Sequence, residues 1–136
     1  VKTNAGQDFQ AQVMASAGAS SNGTGTSAPA NYMALSTSAT APSASDTVLA
    51  GEITTGGGGL IRASATPAHT AGTNTYTLTK TFTVNGSDSV PVTIQKIGIF
   101  NAASSGTLVF ETALTPTTAT LSAVGDQLTI TETVTM

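Results

Sequence analysis

Two stretches of strict two-residue alternation constrain this chain more than anything else in it. In the first, Tyr76, Leu78, Phe82 and Val84 hold the even positions and Thr75, Thr77, Thr79, Thr81 and Thr83 the odd ones. In the second, Leu128, Ile130, Val134 and Met136 alternate with Thr129, Thr131, Thr133 and Thr135. Successive side chains of a β-strand point to opposite faces, so each stretch reads as a strand with an apolar inner face and a threonine outer face. Threonine is β-branched and packs well on a pleated surface, and its abundance throughout the chain carries the same preference beyond these two segments. The fold class predicted is all-β.

Each apolar face is interrupted once, by Lys80 in the first stretch and by Glu132 in the second. The two positions are equivalent and the charges opposite. A charge turned inward needs a partner, so Lys80 and Glu132 are expected to form an inward ion pair. The alternative is that each snorkels separately at a sheet edge, where an inward charge also discourages unwanted pairing.

Between these stretches lies Val90–Leu114, two further apolar strands joined by the turn Asn101-Ala102-Ala103-Ser104-Ser105-Gly106. Val90, Val92 and Ile94 share one parity and Ile97 and Ile99 the other, a change of phase that predicts a β-bulge near Gln95-Lys96. Asn31–Ser38 and Leu60–Ala68 read as strands too. Asp46 stands where an N-cap would, predicting one helical turn over residues 47–53 with Leu49 and Ile53 on one face. About seven or eight strands with frequent turns predict an antiparallel β-sandwich, jelly-roll-like in kind. A chain of 136 residues is one domain's worth.

The N-terminal end has a pattern of its own. Val1, Thr3, Ala5, Phe9, Ala11 and Val13 fall on odd positions, with Lys2, Asn4, Asp8, Gln10 and Gln12 between them. That is strand periodicity, and the competing reading is a short helix capped by Thr3 or Asn4 with Phe9 and Val13 one turn apart. The adjoining segment is almost wholly Ala, Ser, Gly, Thr and Asn, too poor in apolar area to offset its ordering entropy. The predicted organisation is an N-terminal extension over 1–14, a flexible linker over 15–30 and a β-sandwich domain over 31–136, with the N-terminal strand protruding. About fourteen extended linker residues reach roughly 45 Å at about 3.3 Å each, far enough to place that strand on a neighbouring molecule.

Several function classes are excluded by composition. With a net charge of −3 and four Lys plus Arg, no basic patch can neutralise a row of phosphates, so no nucleic-acid partner is expected. No apolar run approaches the roughly 18–20 residues of a membrane-spanning helix, so no membrane insertion is expected. The start at Val1 rather than Met predicts a removed leader or an incomplete N-terminus. There is no cysteine to form a disulfide or a thiolate metal site. His69 is the only histidine, and a lone imidazole makes neither a metal site nor an acid/base pair. The run Gly56–Gly59 lacks the following Lys and Ser/Thr of a phosphate loop and reads as a flexible hinge. No enzyme activity, no cofactor and no metal is therefore expected. Asn22-Gly23-Thr24 and Asn85-Gly86-Ser87 are acceptor sequons, making Asn22 and Asn85 candidate sites for covalent glycans. Only 8% of residues are charged, and a surface so poor in ions is weakly defended against self-association.

The order of motifs carries a resemblance. Thr3-Asn4-Ala5-Gly6, Tyr32-Met33-Ala34-Leu35-Ser36-Thr37, Thr40-Ala41-Pro42, the segment Asp46 to Ile53, Phe82-Thr83-Val84, Ile97-Gly98-Ile99-Phe100-Asn101-Ala102 and Gly125-Asp126-Gln127-Leu128-Thr129 resemble small β-rich bacteriophage tail-fibre and virion structural proteins over nearly the whole chain. The longer linker and the glycine run depart from that pattern. The chain is also similar to extracellular fibril and pilus subunits that polymerise by inserting an N-terminal donor strand into the next subunit. These resemblances imply an architectural role. The leading expectation is a secreted, extracellular homopolymer assembled head-to-tail through Val1, Ala5, Phe9, Ala11 and Val13. The alternatives are a virion component and a carbohydrate- or surface-binding module.

Overall fold

The structure, a computed structural model, describes residues 1–6, 29–70 and 75–135. The described strands, in chain order, are β1 (Tyr32–Ser36), β2 (Ala63–Ser64), β3 (Thr66–His69), β4 (Thr75–Thr83), β5 (Val92–Ile94), β6 (Lys96–Phe100), β7 (Leu108–Ala113), β8 (Ala119–Leu121) and β9 (Gln127–Thr135). The two threonine-backed stretches are the longest, β4 and β9, and they pair antiparallel from Thr75 opposite Thr135 to Thr83 opposite Gln127. With β3 they make a three-stranded sheet in the order β3-β4-β9. A four-stranded sheet runs β2-β1-β6-β7, and β5 pairs with β8 in a small third sheet.

The inner faces meet in one core. Met33, Leu35, Ile97 and Ile99 come from the four-stranded sheet, Leu78, Phe82 and Ile130 from the three-stranded one, and Ile94 and Leu121 from the small sheet. Burial of each such side chain contributes about 1.5–3 kcal/mol, so these faces hold the sheets together. The fold is all-β and sandwich-like, as the alternation predicts. The outer face of β4 and β9 is threonine, and its hydroxyls bond across the strands, Thr79 to Thr131 at 3.1 Å and Thr81 to Thr129 at 2.7 Å. Such cross-strand pairs support register.

Two segments pass from one sheet to another. The phase change at Gln95-Lys96 is one of them: the chain leaves its pairing with β8 at Ile94 and joins β1 and β7 at Lys96. Gln95 bridges the passage, its N–H donating to Ser36 O and its carbonyl accepting from Leu114 N, both at 2.9 Å. The register shift lies instead between Ile99 and Phe100. The expected strand Leu60–Ala68 is divided likewise at Ala65, which separates β2 from β3 and donates its N–H to Asn31 O. Residues 47–53 form no helical turn. Asp46 Oδ2 accepts the Ser43 N–H at 2.9 Å, and Leu49 packs onto Gly98, where a Cβ would lie 3.0 Å from its side chain. Covering that sheet face overrides the local capping signal.

The glycine run is a fixed loop rather than a hinge. Asp88 accepts the N–H groups of Gly59, Leu60 and Asn85 at 2.9, 3.3 and 2.8 Å, and Asn85 Nδ2 donates to Gly57 O at 2.8 Å. At Gly59 a Cβ would fall 1.8 Å from Thr83 O, whereas at Gly56 it would meet nothing within 4 Å. Gly59→Ala should therefore cost about 1–3 kcal/mol through overpacking. Gly56→Ala should leave stability unchanged or raise it slightly. Urea unfolding of the two variants checks the contrast, and equal losses would contradict this account of the loop.

Candidate functional site

The outer strand of the four-stranded sheet, β7, exposes a row of main-chain groups that an added strand can pair. The first residues of the chain do so. Lys2 bridges antiparallel to Phe110, the Glu111 N–H donates to Val1 O at 2.9 Å, and the Thr3 N–H donates to Val109 O at 3.3 Å. The Val1 ammonium donates in turn to Glu111 O. Thr3 anchors the arm: it is fully buried, and its hydroxyl lies 2.9 Å from Leu108 O and 3.2 Å from Val109 O. That same oxygen accepts the Gly6 N–H at 3.0 Å, capping a helical turn over residues 4–6. Threonine is a good N-cap because its oxygen satisfies an orphan N–H of the first turn.

The odd-position strand pattern thus stops at Thr3. Val1 is 53% exposed and held by main chain alone, and Ala5 sits in the turn, half-buried. Residues 1–3 lie along β7 of their own chain rather than protruding. Phe9, Ala11, Val13 and Asn22 lie outside the described residues.

The sheet behind this edge is covered on its outer face as well. Ala34, Phe100 and Leu108 pack there with Leu49, and Asn4 N–H donates to Ala44 O at 2.7 Å, tying the N-terminal turn to the covering segment. Beneath that cover lies an ion pair, Lys96 Nζ 2.5 Å from Glu111 Oε1, with each residue only 1% exposed. Glu111 is in register with Gly98, two residues along from Lys96 on the neighbouring strand, so the two side chains share a face. Removing one partner of such a pair costs about 3–5 kcal/mol, because the other is left buried and charged. Burial, helped by Asp46 and opposed by Lys96, pushes the Glu111 carboxyl above the usual glutamate range.

The expected Lys80–Glu132 pair gives way to other contacts. Lys80 lies opposite Ile130 and Glu132 opposite Leu78, so the two are diagonal neighbours. Glu132 Oε1 accepts the Thr112 hydroxyl at 2.7 Å, joining the two main sheets, while the Lys80 ammonium stands 5.9 Å from the centre of the Phe82 ring. Glu132 thus finds a polar partner on the facing sheet, and Lys80 stands over an aromatic ring of its own strand. Asn85 is half-buried, with its amide nitrogen bonded to Gly57 O and its oxygen accepting the Ser87 N–H. His69 lies in β3, opposite Tyr76.

Sequence reasoning overlooked two features. Lys96 and Glu111 sit inside an apolar run and a mixed one, without a spacing that marks them as partners. Arg62 grips Glu52 with Nε and Nη2, both at 2.8 Å, stacks 3.4 Å from the Phe100 ring centre, and donates from Nη1 to Ala102 O and Ser105 O. It thereby fixes the β6–β7 turn. Among the described residues no group of three or more histidine, aspartate or glutamate side chains is placed to hold a metal ion, and no helix is long and apolar enough to cross a membrane.

Thr3→Val keeps the shape of the anchor and removes its hydroxyl. A lost buried hydrogen bond costs about 1–3 kcal/mol when its partners stay unsatisfied. The Glu111 amide, which donates to Val1 O, should then exchange its hydrogen at least tenfold faster by NMR, while core amides such as Ile97 keep their rates. Unchanged exchange at Glu111 would show that Thr3 is not the anchor. No protein-family model, curated protein or solved structure matches the chain.

Proposed function

We propose that this chain is a structural subunit of an extracellular helical fibril, assembling head-to-tail as the N-terminal strand of one copy enters the β-sandwich of the next. The observation that carries the reading is the main-chain pairing of residues 1–3 along the β7 edge. An edge that binds this segment from its own chain offers the same donors and acceptors to the identical segment of a neighbour. Exchange conserves every hydrogen bond and the buried Thr3 anchor, so subunit concentration and linker geometry decide which copy fills the edge. Residues 7–28 span up to about 70 Å if extended. The interface is heterologous and does not close on itself, which yields a filament.

The scarcity of charge and the absence of a catalytic constellation in the sequence agree with an architectural role. The sequence resemblance favours a second setting, a bacteriophage virion in which the same edge joins subunits of a tail or fibre. A carbohydrate-binding module is less well supported. Tyr32, Tyr76, Phe82, Phe100 and Phe110 are buried or half-buried and present no aromatic platform.

Deleting residues 1–14 should abolish polymerisation and leave a soluble β domain, read by negative-stain electron microscopy and sedimentation velocity. Fibres formed by the truncated chain would refute strand exchange. Filaments of the intact chain alone would favour the free fibril over the virion part.

A further inference from the structure

The register of β7 slips by one residue where the N-terminal arm docks. Phe100 pairs with Leu108 and Ile99 with Phe110, so Val109 is skipped in the pairing with β6. An extra residue of this kind is a β-bulge, which bends its strand and re-aims the groups beside it. In a regular strand successive carbonyls point to opposite sides. Here the carbonyls of Leu108 and Val109 converge on one atom, the Thr3 hydroxyl oxygen, at 2.9 and 3.2 Å. Carbonyl oxygens accept and cannot donate, so the position between them takes a donor. Thr3 supplies it and is completely buried there.

The other end of the docked segment is fixed by the same bulge. The Gly6 N–H donates to Thr3 Oγ1 at 3.0 Å, which turns the chain back against β7. A Cβ at Gly6 would lie 2.0 Å from Val109 O and 3.0 Å from Val109 C, both main-chain atoms. Backbone cannot swing aside as the end of a flexible side chain can, so only glycine seats at this close approach. The Val109 carbonyl thus bears on both positions, three residues apart, and also accepts the Thr3 N–H at 3.3 Å. Val1 and Asn4 are exposed, so their side chains are not selected.

We infer that the bulged stretch of β7 is a peptide-recognition site that selects a hydroxyl residue followed three positions later by glycine, and that it binds such a segment in trans, the occupant being residues 1–6 of a second copy. This selectivity rests on the strand-exchange reading and adds a code to it. Main-chain pairing along an edge is indifferent to sequence, and specificity has to come from side-chain positions. The bulge rejects a segment without the hydroxyl, because that segment brings no buried donor to the two carbonyls. It rejects a segment with any side chain at the glycine position by collision with Val109. Unrelated extended chains are excluded from the edge by these two refusals.

Peptide binding to the isotope-labelled full-length chain, followed by NMR below the concentration of assembly, tests the code without any filament. In the Gly6→Ala chain the arm cannot seat, so the Glu111 amide, which donates to Val1 O, should exchange its hydrogen at least about tenfold faster than in the wild type, with Ile97 unchanged. A synthetic peptide of residues 1–6 with an amidated C-terminus should then shift the Val109, Phe110 and Glu111 amide resonances and restore slow exchange. The same peptide carrying Thr3→Ser should still bind, whereas Thr3→Val or Gly6→Ala in the peptide should raise its Kd at least about tenfold. The Thr3→Val chain is the second host if the Gly6→Ala chain loses its core signals. Equal binding by all of these peptides overturns the code, and unchanged Glu111 exchange in the folded Gly6→Ala chain removes the glycine from it. A wild-type peptide that binds neither host overturns recognition in trans. A chain that reads the code yet forms no filament keeps this inference and loses the fibril reading, and filaments from a chain that ignores the code do the reverse.

Discussion

The four-stranded sheet has to be covered on both faces, and most of the architecture follows from that requirement. Its inner face meets β4 and β9 across the main core. Its outer face is no less apolar at Ala34, Phe100 and Leu108, and it contains the charged pair Lys96–Glu111. Water must be kept from that face, and the segment around Leu49 does so with the N-terminal turn fastened to it. The arm lies on β7, whose Glu111 contributes both to the ion pair and to the edge ladder. Assembly edge and buried ion pair thus share one strand.

This coupling gives Glu111 an unusual load. Its main chain receives and supports residue 1, and its side chain sits in the low-dielectric space under the cover. A carboxyl whose folded pKa is raised binds its proton more tightly in the folded chain. Its contribution to stability is full below the ordinary glutamate range and declines as pH rises toward the folded value. Lys96 opposes the shift, which is why the pair can exist under a cover at all.

The sequence was most legible where one face of a strand is buried and the other is wet. β4 and β9 show alternation because threonine faces solvent on one side, and their existence is plain from it, whereas their pairing with each other is not. β1 and β6 were recognised as strands from apolar runs, yet their faces could not be told apart, since both are buried and no alternation survives. The parity change at Gln95 was visible, but a bulge and a passage between sheets produce the same phase shift. The pairing of Lys80 with Glu132 was inferred from equivalent positions. Antiparallel register sets them on a diagonal, and Thr112 and Phe82 lie within reach of the two head groups.

By itself the sequence determined the all-β class, the two threonine-backed strands, the β6–β7 hairpin with its six-residue turn and the poverty of charge. Each follows from local periodicity or composition, which act over a few residues. Tertiary structure decided where the outer face of the four-stranded sheet finds its cover, that Thr3 rather than Val1 or Ala5 anchors the arm, and that Lys96 and Glu111 share one enclosure. Thr3 and the β7 residues it holds to, Leu108 and Val109, are separated by more than a hundred residues, and Lys96 and Glu111 by 15. Only the closing of the sheets and the loss of water between them bring such groups together, and no spacing in a linear pattern encodes that approach.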